Sequence, residues 1–234
     1  MAKFYGIGTG PGDSDLLTIK GKKTLELIDC LYTPEPKKKG KSLALSIVSP
    51  YLPEALEIKQ RHFPMVNDLS EKENAWDEIA EEILKDVTSG KNVGFVTLGD
   101  PMVYSTYSYL LDRLSDHIET ETIPGISSFC SISNDLQIPL VMDDETYSVV
   151  PATASEDVIQ TALQTFSTII IMKVSVELPK IKRLLEENGL LDFTILISNA
   201  SMENQITQIG LKDLNETEKL SYFSTMIVYK NRKG

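Results

Sequence analysis

Short apolar runs alternate with amphipathic segments along most of this chain. The run at residues 94–98, GFVTL, is too short for a helix and ends at Gly99-Asp100-Pro101, so it predicts a buried parallel strand. Before it, apolar residues at helical spacing between residues 76 and 87 predict an amphipathic helix. Buried strands that alternate with amphipathic helices are typical of an α/β fold.

A break at Pro124-Gly125 divides the pattern near the middle of the chain. The same alternation of strands and helices resumes after it. We therefore expect two α/β domains, residues 1–120 and residues 121–234.

Other short runs predict the remaining strands. The last two alternate between apolar and polar residues as antiparallel strands do, whereas most of the others are apolar throughout. The predicted strands are residues 3–7, 30–33, 62–65, 119–123, 147–150, 168–172, 193–198, 205–209 and 223–229.

The turn after the strand at 94–98 is the first candidate binding loop. Pro101 suits the first position of a helix because it has no backbone N–H. The helix would then carry aromatic and leucine side chains on one face, namely Tyr104, Tyr107, Leu111 and Leu114. Open α/β sheets bind ligands in loops at the carboxyl ends of their strands, although a tight strand-to-helix turn without a ligand remains the alternative.

The first glycine-rich loop along the chain, GIGTGPGD at residues 6–13, follows the first predicted strand. The dinucleotide pattern G-x-G-x-x-G would need glycine at position 11, where the chain has Pro11. Binding of NAD therefore ranks below other uses of this loop.

Charge narrows the classes of partner. The 234 residues include 23 Lys and Arg against 34 Asp and Glu, a net charge of −11. So acidic a chain is a poor ligand for nucleic acid or anionic membranes. No apolar run is long enough to span a bilayer and the amino terminus enters a strand directly, so we expect a cytoplasmic protein.

The cysteines and histidines give no sign of a metal site. Cys30 and Cys130 lie in apolar surroundings without Cys-x-x-Cys spacing, and we interpret both as core residues. His62 and His117 are the only histidines, and neither has a cysteine or carboxylate at ligand spacing. We therefore expect no resident metal.

Four lysines interrupt the acidic composition at Lys37, Lys38, Lys39 and Lys41. Two interpretations stay open. The run is either a solvated surface loop or a basic patch that attracts an anionic substrate.

Several motifs together resemble a known family, and they occur in this order along the whole chain: G-x-G-P-G-D at residues 8–13, Gly99-Asp100-Pro101, PGISS at 124–128 and Met172. The set resembles the tetrapyrrole methylases, which use S-adenosylmethionine. Within that family, residues 63–65, Trp76 and the GDP loop with Tyr104-Ser105-Thr106 are most similar to the precorrin-2 or cobalt-precorrin-2 C20-methyltransferases of corrin (cobalamin) synthesis.

The resemblance implies two α/β domains of the class III methyltransferase type, with the active site in the cleft between them, in a homodimer. The cofactor is S-adenosylmethionine and the product S-adenosylhomocysteine. Matching positions nominate cofactor-binding residues, namely Gly99, Asp100, Pro101, Val103, Ser127, Ser128, Met172, Ala200 and Thr225. The tetrapyrrole would contact Gly10, Pro11, Gly12, Ser105 and Thr106, and Asp13 and Tyr104 are the candidate catalytic side chains.

Other functions are compatible with the same residues. One is a methylase of this fold that acts at C2/C7, C11 or C17, and another is a carrier or sensor that binds a tetrapyrrole without turnover. A diphthine synthase-like protein methylase shares the fold as well. The sequence does not indicate whether the ring carries cobalt or which group removes the C20 proton.

Overall fold

The computed structural model describes residues 1–35, 42–64 and 68–231. The chain divides into two compact units, Met1–Ser127 and Ser128–Gly234. In the residues described, no helix combines the length and apolar character that are needed to cross a membrane.

The first unit contains a fully parallel five-stranded sheet. Its strands in chain order are β1 (Phe4–Gly8), β2 (Cys30–Glu35), β3 (Glu57–His62), β4 (Val93–Thr97) and β5 (Thr120–Ile123). In space the order is β3-β2-β4-β1-β5. All five residues of β4 are buried, as predicted from its apolar run, because a central parallel strand is covered on both faces.

Helices cover both faces of this sheet. They are α1 (Ile19–Leu25), α2 (Leu43–Val48), α3 (Leu69–Thr88) and α4 (Tyr107–Leu114). Phe95 of β4 belongs to a core with residues of α3 and α4, and the adjacent Val96 belongs to a core with residues of α1 and α2. Alternate side chains of one strand thus stabilise two separate hydrophobic layers.

The prediction of a strand at 62–65 was wrong. β3 runs from Glu57 to His62, and Phe63 and Pro64 lie beyond it. Its sequence EIKQRH carries three charged residues, because β3 is an edge strand whose side chains are mostly accessible to water. A polar edge strand has no apolar run by which it could be recognised.

The second unit contains a mixed sheet. Its strands are β6 (Tyr147–Pro151), β7 (Thr168–Met172), β8 (Thr194–Ser198), β9 (Ile206–Ile209) and β10 (Ser224–Tyr229). Their spatial order is β6-β7-β10-β8-β9. β6 and β7 are parallel, whereas β10 is antiparallel to both β7 and β8, and β9 is antiparallel to β8.

The α-helices in the described part of the second unit are α5 (Ser128–Leu136), α6 (Glu156–Thr165) and α7 (Leu178–Glu187). The prediction that both cysteines are core residues was wrong for one of them. Cys30 is buried in β2, but Cys130 is exposed on α5. Its neighbours Phe129 and Ser131 are buried, so Cys130 lies on the outer side of the helix.

β5 belongs to the first unit because it pairs in parallel with β1, with Ile7 opposite Ile123. The predicted domain boundary, at residue 120, lies before most of this strand. The compact units divide later, between Ser127 and Ser128.

Candidate active site

Three adjacent strands of the first sheet end at the same edge. β4, β1 and β5 are neighbours and parallel, so the loops at their carboxyl ends lie side by side. Gly10 and Gly99 join two of these loops by a pair of hydrogen bonds. The Gly99 N–H donates to the Gly10 carbonyl over 2.8 Å, and the Gly10 N–H donates to the Gly99 carbonyl over 3.3 Å.

Glycines allow these loops to touch through their backbones. A Cβ atom on Gly8 would lie 2.6 Å from the Cα atom of Gly125 and 2.7 Å from the carbonyl oxygen of Gly99. A Cβ atom on Gly125 would overlap the same Gly99 oxygen. Side chains at Gly8 and Gly125 are therefore incompatible with this packing.

Asp100 links the loop after β4 to the loop after β5. One carboxylate oxygen accepts a hydrogen bond from the Met102 N–H, and the other accepts one from the Gly125 N–H, both over 2.9 Å. Both oxygens therefore support the protein backbone. Asp100 thereby holds the segment that leads to Ser127.

Gly99 itself presents open space. Its φ angle is +70°, and among the residues described a Cβ atom there would have only the Ile126 carbonyl oxygen within 4 Å, at 3.9 Å. A ligand can therefore approach the Gly99 backbone from this side. Pro101, which follows in the same loop, is buried, and Val103 is half-buried.

The predicted helix start at Pro101 was wrong. α4 begins at Tyr107, after a turn, so Tyr104 is not part of its buried face. That face consists of Tyr107, Leu110 and Leu114. The Ser105 hydroxyl accepts a hydrogen bond from the Tyr107 N–H over 3.1 Å, whereas the N-cap residue Thr106 makes no side-chain capping bond.

Tyr104 has a left-handed backbone, with φ of 49°, and its side chain is 46% exposed. Partial burial raises the pKa of its hydroxyl above the ordinary value of 10.0, so this group is protonated at neutral pH and acts as a hydrogen-bond donor. Asp13 lies beyond β1 at the end of the first glycine-rich loop, in which Pro11 is buried and Gly12 half-buried. Its exposed carboxylate accepts a hydrogen bond from the Asp15 N–H over 2.9 Å.

In the second unit, three of the nominated residues share one edge of the sheet. Met172 ends β7 and lies opposite Thr225 of β10. Ala200 is buried two residues beyond the end of β8, the other strand that pairs with β10. Ser128 is the first residue of α5, a helix that packs against β10.

Backbone strain is concentrated beside these residues. Lys173, Asn199 and Ser201 have φ angles of 61°, 56° and 60°, and they flank Met172 and Ala200. Such conformations cost roughly 1–3 kcal/mol each and cluster at functional sites. Hydrogen bonds hold two of the three: the Asn199 N–H donates to the Phe223 carbonyl over 2.9 Å, and the Ser201 N–H donates to Gln205 Oε1 over 2.6 Å.

The structure thus brings the nominated residues together in two groups. Gly10, Gly99 and Asp100 meet at the edge of the first sheet, and Met172, Ala200 and Thr225 meet at the edge of the second. Ser127 closes the first unit and Ser128 opens the second. The lysine run at residues 37–41 lies outside the described residues, and so does Met65.

Sequence reasoning missed Thr97. Its hydroxyl lies 2.8 Å from the Ser105 hydroxyl, and both residues are buried. The available signal was a single hydroxyl at the end of an otherwise apolar strand, at the point where ligand loops begin.

Metal-ligating side chains and surface depressions offer little support for another site in the residues described. Across the residues described, no three His, Cys, Asp or Glu side chains come together as a metal site, and His62 Nδ1 lies within 3.1 Å of the Glu35 carbonyl oxygen. A surface depression of about 460 Å³ in the second unit is lined by Met142, Ser167 and the acidic residues 143–145. It lies at the amino ends of β6 and β7, away from the edge that holds Met172.

Comparison with solved structures shows the fold. A cobalt precorrin-4 methyltransferase of cobalamin biosynthesis superposes with a TM-score of 0.75 at 20% identity, over 97% of this chain and 94% of that one. The uroporphyrin-III C-methyltransferase of Thermus thermophilus, solved in complex with S-adenosylhomocysteine, gives a TM-score of 0.72 at 18% identity, over 97% of both chains.

Comparison of sequences shows the family. The cobalt-precorrin-2 C(20)-methyltransferase of Salmonella typhimurium is 40% identical over 228 residues, which are 97% of this chain and 96% of that protein. The precorrin-2 C(20)-methyltransferase of a Sinorhizobium species is 30% identical over 238 residues, 97% of this chain and 95% of that protein. Residues 3–214 match the family described as Tetrapyrrole (Corrin/Porphyrin) Methylases. The chain therefore belongs to the tetrapyrrole methylase family.

Proposed function

We propose that this protein transfers a methyl group from S-adenosylmethionine to C20 of precorrin-2 or cobalt-precorrin-2 in cobalamin biosynthesis. The observation that carries the proposal is the 40% identity, over 97% of the chain, to a protein named for this reaction. Family membership supports the methylase chemistry, and the similarity to C20 enzymes supports the position on the ring.

The proposed cofactor site uses backbone and small side chains. In the first unit it comprises Gly99, Asp100, Pro101, Val103 and Ser127. In the second it comprises Ser128, Met172, Ala200 and Thr225. The open side of Gly99 fits a ligand that approaches the backbone, and the hydroxyl and apolar groups suit a nucleoside joined to an amino acid.

The bound cofactor would supply an electrophilic methyl group, so the chain needs no nucleophile of its own. Its residues contribute by holding the ring carbon and the methyl group in line, which can account for a large part of the rate. Asp100 serves this purpose indirectly, because both of its oxygens fix the loops around Gly99 and Gly125.

Tetrapyrrole binding is assigned to Gly10, Pro11 and Gly12 of the first loop and to Ser105 and Thr106. Tyr104 is a hydrogen-bond donor in this scheme, because a tyrosine hydroxyl is protonated at neutral pH. Asp13, an exposed carboxylate beside the first loop, is the better candidate for removing the C20 proton. We propose further that the protein is cytoplasmic and that it works as a homodimer. Light scattering of the purified chain would test the oligomeric state.

An anaerobic assay tests the reaction directly. The protein is mixed with S-adenosylmethionine and either metal-free or cobalt-loaded precorrin-2, and the products are analysed by mass spectrometry. We expect a mass increase of one methyl group, and a ¹³C-labelled methyl donor should place the label at C20 by NMR. Methylation at another ring carbon would assign the chain to a different branch of the family, and binding without turnover would indicate a carrier.

A further inference from the structure

The loop between β4 and α4 is fixed at both ends. At its far end the hydroxyls of Thr97 and Ser105 lie 2.8 Å apart, although eight residues separate them in sequence. Near its start Asp100 accepts hydrogen bonds from Met102 through its side chain and from Val103 through its carbonyl, over 2.9 and 3.3 Å. Residues 101–104 therefore span two anchored points.

The chain closes this loop through two residues with positive φ. Gly99, at +70°, adopts the conformation without steric strain, but Tyr104, at 49°, does not. Glycine at position 104 would close the loop with less strain. A tyrosine in a strained conformation, in a residue that is 46% exposed, indicates a role for the side chain itself.

Ser105 holds the strained residue in place. Its hydroxyl contacts Thr97 and accepts from the Tyr107 N–H, while its carbonyl accepts from the Ser108 hydroxyl over 2.7 Å. Ser105 is buried, and its hydroxyl is already used within the loop. The Ser105 hydroxyl is thus engaged with β4 and with the start of α4.

Thr97 is the last residue of β4, where the ligand loops begin. Its carbonyl accepts from the N–H of Thr9 over 2.9 Å and from the Thr9 hydroxyl over 3.1 Å. These bonds tie the anchor of the loop to the carboxyl end of β1. Thr97 is therefore a fixed point to which Ser105 is attached.

We propose that Thr97 is a positioning residue which, through Ser105, fixes the Tyr104 ring toward the tetrapyrrole. Met102 is exposed beside Tyr104 in the same loop, so the loop presents two largely apolar side chains. An aromatic ring and a thioether suit the flat face of a conjugated macrocycle. The inference rests on the proposed function. It assigns the contact with the tetrapyrrole to Tyr104, in place of the Ser105 hydroxyl.

The test compares three single variants. Thr97→Val keeps the shape and removes the hydroxyl, Thr97→Ser keeps the hydroxyl, and Thr168→Val removes a buried hydroxyl that donates to Leu140 in the second unit. We expect Thr97→Val to raise KM for the tetrapyrrole about tenfold. The Kd for S-adenosylhomocysteine should stay within about twofold of the parent, and Thr97→Ser and Thr168→Val should both resemble the parent in KM.

Two additional variants keep the test decisive if Thr97→Val folds poorly. Ser105→Ala removes the same contact from the other side and should raise KM similarly. Tyr104→Gly relieves the strain, so it should melt at a higher temperature than the parent while its KM rises. Gln137→Gly, at another left-handed position with φ of 54°, should also raise the melting temperature but leave KM unchanged.

A double-mutant cycle tests whether Thr97 affects KM through Tyr104. If Thr97 acts through Tyr104, Thr97→Val should raise KM no further in the Tyr104→Gly background. Equal increases in both backgrounds would overturn the proposal, as would an unchanged KM in Thr97→Val. Tetrapyrrole binding can be followed without turnover by quenching of Trp76, the one tryptophan of the chain. A parent that neither binds nor methylates precorrin-2 refutes the proposed function, whereas an active parent with unaffected variants refutes only this inference.

Discussion

A substitution at Gly99 can have two effects, because its backbone is left-handed. It can strain the backbone, and it can weaken cofactor binding. Alanine at this position meets no clash, because the nearest atom to its Cβ would be 3.9 Å away. It still requires positive φ, which costs roughly 1–2 kcal/mol for a residue with a side chain. Loss of stability alone would therefore say nothing about the cofactor.

Gly210 provides the matched control, since its φ is +73° and a Cβ atom there would have no atom of a described residue within 4 Å. We expect Gly99→Ala and Gly210→Ala to lower the free energy of unfolding similarly, by about 1 kcal/mol. Only Gly99→Ala should raise the Kd for S-adenosylhomocysteine, by about tenfold or more. Denaturant titration measures the free energy of unfolding, and calorimetry measures the Kd for S-adenosylhomocysteine. Equal Kd values for the parent and Gly99→Ala would show that Gly99 is not part of the cofactor site.

A second residue-scale prediction concerns Thr33 of β2. It is fully buried, and its hydroxyl has no hydrogen-bond partner among the residues that the structure describes. A buried hydroxyl without a partner is destabilising, so Thr33→Val should raise the free energy of unfolding by about 1 kcal/mol. Thr194→Val should lower it, because the Thr194 hydroxyl donates to the Leu190 carbonyl over 2.8 Å. A decrease for Thr33→Val would mean that its hydroxyl makes a stabilising contact.

At the scale of elements, an ionic contact joins β2 and β3 to α3. Asp86 of α3 accepts hydrogen bonds from Lys59 Nζ over 2.6 Å and from the Tyr32 hydroxyl over 2.8 Å through one oxygen. Burial opposes ionisation of Asp86, but these hydrogen bonds outweigh it and lower its pKa below the ordinary value of 3.8. Burial likewise disfavours the charged Lys59, yet its contact with Asp86 raises the pKa.

The sign of the pH dependence follows from these directions. Since the folded pKa of Asp86 is depressed, its contribution is present above the unfolded pKa and is lost as the pH falls through the folded pKa. Asp86→Asn should therefore destabilise the protein at neutral pH, by about 1–3 kcal/mol, and reduce the loss of stability below about pH 4. Urea titrations across this range measure both effects. The exposed pair Lys212 and Asp192 is the control, and Asp192→Asn should change little.

The elements that could be predicted are those with a buried face. β4, β7 and β8 were visible as apolar runs and α3 as a helical pattern, because burial imposes an apolar sequence. β3 was missed because its side chains are mostly accessible and charged. The start of α4 was misplaced because Pro101 fits a turn as well as a first helical position, and only the contact of Ser105 with Thr97 decides between them.

The site was predictable to a similar extent. Gly99 and Asp100 could be identified from a motif at a strand end, and Met172, Ala200 and Thr225 from the family resemblance. Their assignment as ligand contacts stays a prediction. The bond from Gly125 to Asp100 joins residues 25 positions apart, and no local pattern encodes such a contact. Backbone strain at Tyr104 and Asn199 is equally invisible in sequence, since it results from how the loops are closed.

For the whole molecule, the distribution of charge should affect how substrate is captured. A chain with net charge −11 repels a polycarboxylate ring unless positive charge lies near the binding site. Replacement of Lys37, Lys38, Lys39 and Lys41 by glutamine should therefore lower kcat/KM at low salt and weaken its salt dependence. The Kd for S-adenosylhomocysteine should not change. A quadruple variant with the salt dependence of the parent would show that the lysines form a solvated loop.

The position of β10 has a consequence for synthesis of the chain. The first sheet receives its last strand, β5, at an edge, whereas the second sheet receives β10 between β7 and β8. As the chain leaves the ribosome from its amino end, the second unit must hold two separate strand pairs with unpaired inner edges until Ser224–Tyr229 emerge. Such edges invite pairing with other chains. A nascent chain stalled before residue 224 should therefore resist protease in its first unit, be cleaved in its second, and recruit chaperones to the second alone.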